Sequence, residues 1–143
     1  MPRIKIELPQ SFSFSTSLTV RVTDLNYGNH VGNDKVLSLL HEARLQYLNS
    51  LGYSELHLDG VSLIMADAVL VFKQEMYYGD ELLVSISPEA ISRMGFDLIY
   101  KMEKKTGVEQ VTTVLAKTAL ICFDYGLKKV VALPESVRRK LSF

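Results

Sequence analysis

The chain has 143 residues with 48% hydrophobic and 22% charged side chains, a composition that excludes intrinsic disorder and suits one domain over residues 1–143. Sixteen Lys and Arg balance sixteen Asp and Glu, which removes the basic footprint of a nucleic-acid binder. The single cysteine, Cys122, excludes an intrachain disulfide and points to a reducing compartment.

Residues 1–10 carry Arg3, Lys5 and Glu7 and no apolar run, so no secretory signal is expected there. No segment approaches the roughly 18 apolar residues of a membrane helix. A cytoplasmic protein without a membrane partner is therefore expected.

Residues 11–23 alternate: Phe12, Phe14, Thr16, Leu18, Val20 and Val22 fall on one parity, and small polar residues with Arg21 on the other. Period two predicts a long strand with one dry face. Residues 24–33 break it with Asn26, Gly28, Asn29, Gly32 and Asn33, which predicts a loop.

A helix should follow, with Asn33 as N-cap, Asp34 complementing the dipole and Gly52 as the stop. Val36, Leu40, Ala43 and Tyr47 form its stripe, flanked by Leu37, Leu39, Leu48 and Leu51. Leu45 on the opposite side makes it apolar around more than half its circumference, so it should be wrapped by other structure. Arg44 lies inside the apolar arc, where a salt bridge is favoured over phosphate binding.

Strands are expected over 63–75, 81–91, 96–103 and 110–123, with turns at 78–80, 105–107 and 124–126. Cys122, inside Ala-Leu-Ile-Cys-Phe, reads as a small core residue. Residues 135–141 after Leu133-Pro134 read as a short amphipathic tail. The order is α+β: an antiparallel sheet of five or so strands wrapped around one helix.

Polar residues gather in the strand-to-helix loop: Asp24, Asn26, Asn29, His30, Asn33 and Asp34. A helix start exposes unpartnered backbone N–H groups and favours negative charge, which suits an oxyanion. A carboxylate nearby, such as Asp24, can attack a carbonyl or serve as base toward water, Asn26 can hold that water, and His30 can orient either. The same residue types also cap helices and close Asx-turns. His30, His41 and His57 show no zinc-ligand spacing, so no metal is expected.

The run Val22-Thr-Asp-Leu-Asn-Tyr-Gly-Asn-His-Val-Gly-Asn33 with Leu39-Leu-His-Glu-Ala-Arg44 resembles the opening signature of hotdog-fold acyl-CoA thioesterases, the 4-hydroxybenzoyl-CoA thioesterase-like superfamily. The run Phe72-Lys-Gln-Glu-Met-Tyr-Tyr-Gly-Asp80 and the segment from Val114 to Phe123 with Leu133-Pro134 resemble its later parts. The resemblance implies a sheet curled around a helix, protomers paired edge to edge as a homodimer or a dimer of dimers, and sites at that interface. It implies hydrolysis of an acyl-CoA or acyl-carrier-protein thioester to acid and thiol, with no cofactor.

Carried over by position, the N–H near Asn33 is the oxyanion donor and His30 matches the histidine of the plant enzymes. Gly28 stands where those enzymes have Asn. Asn26 stands where the hydroxybenzoyl-CoA branch has its catalytic Asp, and an amide is neither nucleophile nor base in that role. Glu42 falls in a Glu-x-x-Arg helix pattern, here one residue shorter. The base then falls to Asp24, Glu42 or His30, in that order.

Tyr27 and Arg93 are the expected substrate contacts; Arg93, Lys101, Lys104 and Lys105 can meet nucleotide phosphates or form a solvated face. Tyr77 and Tyr78 read as edge or interface packing. The rival readings are a protein that binds acyl thioesters without hydrolysis and a 3-hydroxyacyl-thioester dehydratase.

Overall fold

The computed structural model describes residues 3–142; Met1, Pro2 and Phe143 of the expected domain lie outside the described residues. The alternating segment becomes β1 (Phe14–Thr19), in which Phe14, Thr16 and Leu18 turn inward and the serines outward. Val20 continues the parity and is buried, held by the N–H groups of its own residue and of Gly79. The expected strand over 11–23 is longer than the observed one. Arg21 caps a short 3-10 turn (Val22–Asp24), and that turn leaves Val22 exposed.

Helix α1 (Asn33–Ser50) is capped one residue earlier than expected: Gly32, extended at φ −70° and ψ 146°, takes the N-cap position and Asn33 is the first helical residue. Asp34 sits in the first turn as expected. The helix closes at Leu51, and Gly52 follows at φ 87°, a left-handed conformation that glycine adopts without strain. Val36, Leu39, Leu40, Ala43, Tyr47 and Leu48 are buried, each large one contributing roughly 1.5–3 kcal/mol. Leu37 and Leu45 remain exposed, so this chain covers one side of the helix and leaves the other open.

The remaining strands are β2 (Ser62–Phe72), β3 (Glu81–Glu89), β4 (Gly95–Thr106), β5 (Glu109–Asp124) and the short β6 (Lys129–Val130), followed by α2 (Glu135–Leu141). All pairings are antiparallel, in the order β1-β3-β4-β5-β2, with β6 on the end of β5. Strand β6 was not anticipated, because two exposed residues leave no periodic trace.

Leu82, Val84 and Ile86 of β3, Phe96, Leu98, Tyr100 and Met102 of β4, and Val114, Ala116, Leu120 and Cys122 of β5 form the inner face under α1. Burial pushes the Cys122 thiol up to about 11 and the Tyr47 hydroxyl up to about 12, the latter opposed by a hydrogen bond with Ser13. No helix among the described residues is long and apolar enough to cross a membrane.

Candidate active site

The loop between the 3-10 turn and α1 folds into a small hairpin, with Leu25 opposite Val31. Asn26 accepts from the Gly28 N–H through its side chain (2.8 Å) and donates its own N–H to the His30 carbonyl (2.9 Å). Asn29 sits at φ 64° at the turn, a conformation asparagine tolerates better than most residues. The Asx-turn role is thus filled by Asn26. The hairpin ends where the Gly32 N–H meets the Asp24 carbonyl (3.2 Å) and the helix starts. The Asn33 and Asp34 N–H groups find no acceptor among the described residues.

His30 faces Tyr77 across an isolated antiparallel bridge, and the Val31 N–H donates to the Met76 carbonyl (2.8 Å). These contacts bring the stretch after β2 against the start of α1. His30 Nδ1 lies 3.2 Å from the Val31 carbonyl oxygen. Donation there leaves Nε2 with its lone pair free. Nε2 lies 3.8 Å from Oε1 of Glu75.

His30, Asn33 and Glu75 share the rim of a cleft of about 320 Å³ whose floor is Val36, Met76 and Val114. The three floor residues are all buried. Glu75 was not singled out from the sequence. Its only signal there is a place in the run Phe72–Asp80, because nothing local shows that β2 ends beside the loop.

Asp24 and Glu42 instead line a second cleft, of about 450 Å³, on another flank of α1 with Arg21, Ser38 and Gln46. The Asp24 carboxylate accepts the Arg21 N–H (2.8 Å) and caps the 3-10 turn. Glu42 accepts from the Gln46 amide (2.9 Å), whose oxygen takes the Thr16 hydroxyl. Tyr27 projects fully into solvent at the hairpin tip. Arg93 lies in the β3–β4 connection, its carbonyl accepting the Leu133 N–H (2.9 Å). Neither Tyr27 nor Arg93 lines either cleft.

Lys101 and Lys104 pair with Glu103 (3.6 Å) and Asp80 (3.8 Å), while Lys105 is exposed. Arg44 makes the ion pair expected of a charge in the apolar arc. Its Nε lies 3.6 Å from Glu55, its Nη1 donates to the Tyr100 hydroxyl (3.2 Å), and Glu55 also takes His41 (2.6 Å). Among the described residues no three His, Cys, Asp or Glu side chains group as metal ligands.

A family model described as the thioesterase-like superfamily matches residues 20–141. A 1,4-dihydroxy-2-naphthoyl-CoA hydrolase of Nostoc punctiforme is 29% identical over 131 residues, covering 87% of this chain and 84% of that protein. Among solved structures, a 1,4-dihydroxy-2-naphthoyl-CoA thioesterase from Synechocystis superposes with a TM-score of 0.80 at 21% identity, covering 90% of this chain and 95% of its own. A 4-hydroxybenzoyl-CoA thioesterase variant complexed with 4-hydroxybenzoyl-CoA reaches 0.82 at 14%, covering 92% and 99%. The architecture is the hotdog fold.

Proposed function

The chain belongs to the thioesterase-like superfamily, and from that premise we propose that it hydrolyses a coenzyme A thioester to a free acid and coenzyme A. The observation that carries this is the cleft where the start of α1, with Asn33 in its lining and the Asn33 N–H unpartnered, opens beside a histidine and a carboxylate. The thioester carbonyl oxygen lies at the Asn33 and Asp34 N–H groups, and the acyl group lies over Val36, Met76 and Val114. A water attacks the carbonyl carbon as His30 Nε2 takes its proton, and Glu75 stabilises the imidazolium that forms. The C–S bond then breaks, and the sulfur takes the proton back from the imidazolium.

A thiol near pKa 8.5 leaves without a strong acid, and each aimed donor lowers the barrier by roughly 2.7–4 kcal/mol. Asn26 supplies no base, and the Asp24 carboxylate lies outside the lining of this cleft. CoA is favoured over a carrier protein by the substrates named for the relatives above. The working unit proposed is a homodimer or a dimer of dimers of this domain. Strand β2, eleven residues on the sheet's edge beside the cleft, supports edge pairing.

The test is thiol release from a panel of aromatic and aliphatic acyl-CoAs and acyl-carrier proteins. His30→Ala and Glu75→Gln are expected to lower kcat about 100-fold or more. Tight binding of a non-hydrolysable acyl-CoA analogue with no turnover of any thioester would favour the binding-only reading, for which Asn26 speaks.

A further inference from the structure

Glu75 is more than half exposed, with 58% of its side-chain surface open, and a free glutamate there would sweep through several rotamers. In this structure both ends of the residue are held. The Tyr77 hydroxyl donates to Oε2 at 2.7 Å, leaving Oε1 as the oxygen turned toward His30 Nε2 at 3.8 Å. The Lys104 ammonium donates to the Glu75 carbonyl at 2.6 Å. The same ammonium lies 4.9 Å from the centre of the Tyr77 ring and 3.8 Å from the Asp80 carboxylate. Asp80 in turn accepts the Tyr77 N–H at 2.8 Å. The carboxylate keeps the Tyr77 hydroxyl protonated, pushing its pKa up chiefly through this hydrogen bond.

We propose that Tyr77 is a positioning residue for hydrolysis. Its hydroxyl clamps one oxygen of Glu75 so that the other faces His30, and Lys104 backs the ring and fixes the main chain. This rests on the assignment of His30 and Glu75 as the proton-transferring pair. Tyr77 touches neither substrate nor water in this role and acts only through Glu75.

The distinction is between a clamp and mere packing. Tyr77→Phe keeps the ring over which Lys104 lies and deletes only the hydroxyl. A charge-assisted hydrogen bond lost at the pair should lower kcat about tenfold, with KM within about twofold of wild type. In a Glu75→Gln background the same Tyr77→Phe change should cost nothing further, since its effect passes through the carboxylate.

Kinetics of wild type, both single variants and the double variant are measured on the best substrate among benzoyl-, 4-hydroxybenzoyl-, acetyl- and hexanoyl-CoA. Loss in Tyr77→Phe that vanishes in the double variant supports the clamp. An unchanged Tyr77→Phe, or an equal loss with and without the Glu75 carboxylate, overturns the clamp while leaving the His30–Glu75 pair standing. An unchanged Glu75→Gln, or no turnover by wild type, overturns the pair and the clamp with it.

Discussion

Two clefts flank α1, and they differ in what stands beside their carboxylates. At the helix start, Glu75 faces a histidine beside unpartnered N–H groups above an apolar floor. On the other flank, Asp24 and Glu42 line a larger cleft whose lining holds neither a histidine nor the start of α1. An acidic residue in a motif is therefore a candidate base only where it shares space with electrophile-binding donors. Proximity along the chain to the helix start does not supply that.

The contrast breaks most sharply on rate. Asp24→Asn and Glu42→Gln should leave kcat within about threefold of wild type, against the 100-fold losses expected at His30 and Glu75. Equal losses on both flanks in thiol-release kinetics would erase the distinction.

Next in size is the floor. Met76→Ala should lower stability by about 3 kcal/mol in urea unfolding and move acyl preference toward bulkier groups. Leu39→Ala beside the second cleft should destabilise comparably without moving preference. A smaller effect, about 1 kcal/mol, is expected for Asp24→Ala from the lost cap.

Below pH 9 the core that carries both clefts should show no loss from its buried thiol and phenol. Cys122 and Tyr47 are raised in the folded chain to about 11 and about 12 from 9.0 and 10.0. Burial thus favours their neutral forms. That stability is fully present below the unfolded values and is lost as pH climbs from about 9 to 12. Melting temperatures should be flat from pH 7 to 9 and then fall, with Cys122→Ala delaying the onset.

The fold was legible where one face of an element is dry. Alternation marked β1, the 3.6-residue stripe marked the buried side of α1, and Leu133-Pro134 marked the start of the amphipathic tail that folds as α2. The start of α1 was displaced by one residue because Asn33 is a good capping residue type, whereas the backbone of Gly32 adopts the cap conformation without any side-chain bond. The loop residues His30 and Asn33 stood out in the sequence and do meet at one cleft. Glu75 did not, since a bridge between His30 and Tyr77 is a tertiary pairing with no local pattern. Nor does spacing along a helix reveal which flank Glu42 shares, or that Arg93 pairs through its carbonyl with Leu133 ahead of α2.

The isolated bridge between His30 and Tyr77 ties the two side chains of the pair to neighbouring main chains. Imidazole and carboxylate hang from two adjacent backbones joined by the Val31-to-Met76 hydrogen bond, so separating them should require breaking that bond. Warming should not loosen the pair by degrees. Turnover should climb with temperature up to the melting transition and collapse with it, the catalytic and calorimetric midpoints coinciding.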